Sequence, residues 1–334
     1  MVRIRLAQTA ALIIGAFRWS LRPFQSVGEG EEATTKYQTL PTPTGRARYH
    51  HFRPVHHLRH FVGNDGMLWV YSTRPEESPF QKRPSEIGGE NFLYAPEEGP
   101  DPKTDEVERW LASQIDGPAA EPLRKLINGR PLDNSERSRI SSYLAVQDMR
   151  TPTARDLLVG LFSDGVKDWY RVYREDPRSV QLDIWKTQGR WLSLDEVSQY
   201  LGEYDVEVGK GVWLDFLMTQ VNKAAERLHQ MRWHRIPVRG SHDLLTNDIG
   251  IVKCQGGFDA PVAYRLGLVG ASHWIFPLSP RTVLLLAPPF DARAFKVGRG
   301  WVRKINRQLV RDAYRHVYAS RRSDFVQEWA KNGI

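Results

Sequence analysis

The sequence predicts an α+β domain whose sheet is built from N-terminal and C-terminal strands, with a helical lobe inserted between them. Two observations predict it. Aromatic and aliphatic runs of strand length fall before about residue 95 and again after about residue 243, whereas residues 104–231 carry helical periodicity and capping signals. No convincing linker divides that middle. Residues 48–330 therefore read as one domain, preceded by a flexible, basic extension and linker over 1–47.

The extension opens with Arg3, Arg5, Arg18 and Arg22 and no acidic residue in its first 28 positions. Its apolar run Leu6–Phe17 has the shape of a signal-peptide core, but no small-x-small cleavage site follows. A spanning helix needs about 20 apolar residues, so the run is too short for one. It reads as an amphipathic extension, or as the result of a start codon placed too early. Residues 26–47, rich in Gly, Thr, Pro and Glu, form the linker.

"RYHHFRPVHHLRHF" (48–61) holds five histidines and three arginines. Pro54 suits a first helical turn, after which Val55, Leu58, Phe61 and Val62 share a side. His56 and His60 then stand at i, i+4, a metal-ligand spacing, but no acid accompanies them nearer than Asp65, so they read as a solvated face. His50 and His51 precede the helix beside its positive end, which suits a neutral general base or a cap.

"NDG" (64–66) marks a turn before the strand "MLWVYS", and "GGENFLYA" (88–95) reads as another extended segment. The acidic, Pro-rich stretch 96–103 is a loop. Thr104 caps a helix carrying Val107, Leu111 and Ile115, interrupted near Gly117-Pro118 and resuming to Ile127. "LDNSERSRISSYLAVQDMR" has Ile140, Tyr143, Leu144 and Gln147 at the spacing of a buried stripe. Pro152 restarts a helix whose later part is aromatic (Trp169, Tyr170, Tyr173). Ser193 and Glu196 form a capping box, and 211–231 continue helical. Then come the extended segments "DLLTNDIGIVKC", "HWIFPLSP" and "RTVLLLAPP". A closing helix spans "WVRKINRQLVRDAYRHVYAS", with Val302, Ile305, Leu309 and Val310 on its apolar side.

Composition narrows the function. Cys254 is the only cysteine, which excludes an internal disulfide and every thiolate-rich metal motif and points to a reducing, cytoplasmic setting. A net charge of +8 favours a polyanionic partner, nucleic acid or an anionic surface. Two polar residues stand where apolar ones are expected. Gln147 lies on the buried stripe of its helix, and Arg150 follows one turn later, immediately before Thr151-Pro152. A buried amide or guanidinium needs a defined partner, whether loop backbone or a phosphate or carboxylate ligand. Thr246, Asn247 and Asp248 close an apolar run, a position used both by turns and by ligand residues.

"HHFRPVHHLRHF", "LWVY", "GGENFLY", "SSYLAVQDMRTP", "LLTND" and "FPLSP" together resemble a bacterial and fungal family known only as a domain of unknown function, number four-two-three-eight. The resemblance runs from about residue 48 to about 320. It implies that His50, His51, Gln147 and Arg150 are the positions to watch, and that His56, His57 and His60 are local decoration. The family usually reads Ser-Asp-Asn-Pro where this chain has Asn247, Asp248, Ile249 and Gly250, and Glu where it has Asp116.

The leading functional expectation is a hydrolase of phosphodiesters, a nuclease of a bacterial defence or toxin system, with or without a divalent metal. His50 or His51 would be the base, Asp248 would orient it or bind a metal, Arg150 would stabilise phosphate charge and Gln147 would position substrate. The alternative is a non-catalytic protein binding nucleic acid or another partner, in which these residues form a structural polar network.

Overall fold

The computed structural model describes residues 2–5, 47–74, 76–95, 104–255, 261–262, 271–289 and 299–332. The expected linker and the loop at 96–103 lie outside the described residues, as does the extension beyond its first strand. In chain order, β1 (Val2–Arg5) is followed by β2 (Tyr49–His51), the single turn α1 (Val55–Leu58), β3 (Leu68–Ser72), β4 (Phe80–Lys82) and β5 (Gly89–Asn91). The helical segment holds α2 (Glu106–Trp110), α3 (Gly117–Ile127), α4 (Asn134–Met149), α5 (Pro152–Glu175), α6 (Pro177–Gln188), α7 (Leu194–Glu203) and, after β6 (Tyr204–Glu207), α8 (Gly211–Gln230). Strands β7 (Arg232–Pro237), β8 (Thr246–Asn247), β9 (Val252–Cys254), β10 (Pro261–Val262), β11 (His273–Ser279) and β12 (Thr282–Ala287) come next. Helix α9 (Arg299–Asp312), strand β13 (His316–Ala319) and helix α10 (Asp324–Asn332) close the chain.

The chain divides into two units, residues 1–47 with 159–212 and residues 48–158 with 213–334. In the first, β1 pairs in parallel with β6. Helices α6 and α7 meet through Val180, Ile184, Leu192 and Val197. The capping box expected at Ser193 starts α7: Glu196 N–H donates to Ser193 Oγ at 3.2 Å, and Ser193 N–H to Glu196 Oε2 at 2.7 Å.

The second unit carries the α+β architecture. A four-stranded sheet, order β4-β3-β13-β8, joins N-terminal and C-terminal strands, with Val70 opposite Tyr318 and Tyr318 opposite Thr246. A five-stranded sheet, order β10-β9-β11-β12-β7, is built from the C-terminal part alone. Strands β11 and β12 are buried along their whole length, the expected fate of unbroken apolar runs. Helix α9 seats Val302, Ile305, Leu309 and Val310 in the same core as Tyr71, Ile275, Leu285 and Val317. Helix α4 opens with a capping box between Asp133 and Glu136.

Three local expectations change. The interruption at Gly117-Pro118 is instead a π-helical stretch, Leu111–Asp116, running directly into α3. The widened turn drops the i→i−4 ladder just ahead of a proline that has no N–H to contribute to it. The closing helix stops at Asp312, and "HVYA" becomes the inner strand β13, because β-branched and aromatic side chains gain partners on both sides in the sheet. Strand β5 covers only three residues before Phe92 turns the chain at φ 54°. Helix α6 and strand β7 had no reading in the sequence. The first is capped by Asp176, which accepts from Ser179 N–H at 3.3 Å, and the second is recruited by pairing with β12.

Candidate functional site

Strand alternation separates the two leading histidines. His50 faces inward on β2 and is fully buried; its Nδ1 accepts from Tyr94 N–H at 3.1 Å, and its ring stacks on Tyr94 with centroids 5.8 Å apart. His51 faces the other way and is partly exposed. Its backbone N–H donates to Glu108 Oε1 at 2.9 Å, its Nδ1 stands 3.8 Å from the same oxygen, and its Nε2 is 3.3 Å from Ser85 O.

Gln147 and Arg150 end helix α4 as a single unit. Gln147 Nε2 donates to Phe52 O at 3.0 Å and more weakly to Ile249 O at 3.4 Å. Its Oε1 accepts from Arg150 Nη2 at 2.9 Å and Nε at 3.2 Å. Arg150 Nη1 then donates to Asp116 Oδ2 at 3.0 Å. Both Gln147 and Arg150 are fully buried. Burial works against the guanidinium charge, but the Asp116 carboxylate and the Tyr94 and Tyr143 hydroxyls outweigh it and hold the pKa above its ordinary value. Through one amide, the histidine block (Phe52) and the strand-end block (Ile249) are tied to the same helix end.

Asp248 is fully buried and spends its carboxylate on backbone. Oδ1 accepts from Tyr314 N–H at 2.9 Å, and Oδ2 accepts from Arg315 N–H at 2.6 Å and His316 N–H at 2.7 Å. Burial pushes its pKa up to about 6, against the lowering effect of those three donors. Its contacts therefore run to the start of β13, whereas those of His50 and His51 run to Tyr94, Glu108 and Ser85.

The pair His56 and His60 is not the solvated face expected of it: both are only partly exposed, and burial lowers the pKa of both imidazoles. His57 is fully buried, stacked on Phe276 at 4.9 Å. Its Nδ1 lies 2.7 Å from Arg53 Nη2, and its Nε2 lies 3.0 Å from Pro277 O. A guanidinium can only donate, so Nδ1 is the acceptor and the proton sits on Nε2. Burial, and then the neighbouring Arg53 charge, hold this imidazole well below the usual histidine pKa. His56 lies against Tyr143 with ring centroids 5.5 Å apart. Burial brings its pKa down to about 4. Arg53, also fully buried, donates through Nη2 to Thr246 Oγ1 at 3.0 Å, and its guanidinium rests on Gly250. His57 stands four residues before Phe61, on the side of the turn that Phe61 marks as buried, whereas Arg53 precedes the turn, whose N-cap is the extended Pro54, and no helical spacing places it.

Among the described residues, no group of three or more His, Cys, Asp or Glu could hold a metal ion. No described helix is long and apolar enough to cross a membrane. Residues 49–323 match a family model described as "Protein of unknown function (DUF4238)". No curated protein and no solved structure matches the chain.

Proposed function

The chain belongs to the DUF4238 family, and from that premise we propose that it is a nucleic-acid-binding protein whose inward polar residues serve as a structural network. One observation carries the reading. Arg303, Arg307 and Arg311 stand exposed at i, i+4 and i+8 of α9, while Val302, Ile305, Leu309 and Val310 of the same helix are buried. Successive arginines are about 6 Å apart along the axis, and exposed Arg315 follows the helix. The one acid of α9, Asp312, accepts from Gln308 Nε2 at 2.9 Å. Such a cationic row fits a regular array of phosphates. The network half of the reading draws on Gln147, Arg150 and Asp248, each committed to protein partners.

Binding of labelled duplex DNA and single-stranded RNA, followed by anisotropy at several salt concentrations, tests it. The triple variant R303E/R307E/R311E should bind at least tenfold more weakly than wild type, with a log–log salt slope shallower by about 2 to 3. Wild type that binds neither nucleic acid at low salt, or a variant that binds equally well, ends the proposal.

A second reading, a phosphodiester hydrolase of a bacterial defence or toxin system, rests on His51. Of the five expected site residues it is the one not buried, and it stands beside the Glu108 carboxylate as a base beside its orienting acid. Incubation with labelled RNA and DNA, with and without divalent metal, decides it. Equal cleavage by wild type and His51→Ala, or no cleavage at all, removes it.

A further inference from the structure

Buried polar atoms left without hydrogen-bond partners gather on one side of the network. Arg53 Nε and Nη1, His56 Nε2 and Asp116 Oδ1 have none, and Tyr143 Oη, beside the Arg150 guanidinium, makes no bond of good geometry. These groups meet around Tyr143: the His56 ring lies 5.5 Å from its ring, Asp116 is held 3.0 Å from the adjoining Arg150 guanidinium, and Arg53 lies 2.7 Å from His57, whose ring is 6.4 Å from that of Tyr143. Arg150 sits 5.7 Å from the Tyr143 ring. Buried polar groups are normally paired, so several unspent ones around a single imidazole and phenol require an explanation.

Water would satisfy their hydrogen bonds but not their charge. Arg150 has the Asp116 carboxylate at 3.0 Å. Arg53 has no carboxylate within ion-pair distance among the described residues. The neutral His57, the Thr246 hydroxyl and the Phe276 ring surround it, and the Asp248 carboxylate favours its charge only from beyond ion-pair distance. A buried guanidinium with no anion in contact carries a desolvation cost of up to several kcal/mol, which a bound anion would offset. Asp116 Oδ1 adds a second requirement. A carboxylate oxygen accepts and would repel a bare oxyanion, so the bound group must also donate.

We propose that Arg53, His56, Tyr143 and Asp116 form an internal site for a phosphate-type oxyanion carrying a hydroxyl, with its charged oxygens toward Arg53 and its O–H toward Asp116. Hydrogen phosphate and its monoesters with a free hydroxyl have that chemistry; sulfate, fully deprotonated at neutral pH, does not. The site is independent of the arginine row on α9.

Thermal unfolding of the full chain is compared in chloride, sulfate, phosphate and glycerol phosphate at one ionic strength. Phosphate should raise the Tm by several degrees in a saturable way, and sulfate by clearly less. A response to glycerol phosphate as large as that to phosphate assigns the site to monoesters, and a response to phosphate alone assigns it to the free ion. Arg53→Met should lose the response, and Asp116→Asn should narrow the gap between phosphate and sulfate. If Arg53→Met does not fold, Tyr143→Phe takes its place and should need at least threefold more phosphate for half the effect. Equal Tm values for wild type in all four salts, or a full phosphate response in both Arg53→Met and Tyr143→Phe, overturn the proposal.

Discussion

Asp248 and His316 hold each other twice: Asp248 N–H donates to His316 O at 3.2 Å, and Asp248 Oδ2 accepts from His316 N–H at 2.7 Å. With Tyr314 and Arg315 N–H on the same carboxylate, this pairing stops the polypeptide from continuing as helix after α9 and starts the strand that joins the two ends of the sheet.

Asp248→Ala should therefore be among the most destabilising single changes. It leaves three backbone N–H groups without acceptors at the entry to an inner strand, at a cost of roughly 3–5 kcal/mol. Asp248→Asn, which keeps one carbonyl oxygen, should fall between the two. Urea unfolding measures both; a loss under about 1 kcal/mol for the alanine would mean that β13 is pinned by something else.

Two glycines with similar backbone angles should respond very differently to alanine. Gly66 (φ +76°) has nothing within 4 Å of an added Cβ, so Gly66→Ala should cost only the left-handed penalty, about 1 kcal/mol. At Gly250 (φ +82°) the same atom would collide with the Arg53 guanidinium, already held by His57 and Thr246. Gly250→Ala should lose roughly 3 kcal/mol or more. Equal melting temperatures for the two variants would contradict the close approach of Arg53.

Gln147→Leu strips the shared acceptor from Arg150 and the donor from Phe52 O in one step. A loss of roughly 2–4 kcal/mol follows, or about 3–6 °C in Tm for a chain of this size. An unchanged Tm accompanied by lost nucleic-acid binding would reassign Gln147 from structure to site.

Acid should weaken the fold through its buried histidines, against an opposing contribution from the buried Asp248 carboxyl, which is pushed up to about 6 and takes its proton in the folded state first. Burial brings His56 down to about 4 and His57 well below its ordinary 6.5, where Arg53 already donates to its Nδ1. Unfolded imidazoles protonate near 6.5, so the stability these residues confer is complete above that pH. It drains away as pH falls from 6.5 toward 4. Denaturation midpoints taken every half pH unit should decline over that window for wild type and less steeply for His57→Gln. Superimposable profiles would show that His57 is not held neutral by burial.

Much of the layout was legible locally. The strand at 68–72, the capping box at Ser193 and the wholly apolar strands β11 and β12 each announce themselves within a few residues. The buried stripe ending in Gln147 was visible too, as was the demand that Gln147 and Arg150 find partners. The pair His56 and His60 misled, since two imidazoles one turn apart look solvated until Tyr143 is packed against His56.

From the chain alone came the class of fold, the helical insertion between strands and the positions of the misplaced polar side chains, because periodicity, capping and unpaired buried groups act over one or two turns. The assembled molecule decided which partners those side chains meet. Gln147 reaches Phe52 95 residues before it and Ile249 102 residues after it, and Asp248 determines the secondary structure of a segment 66 to 68 residues away. Hydrogen bonds across such separations depend on how strands and helices come together, and short-range propensity does not encode that arrangement.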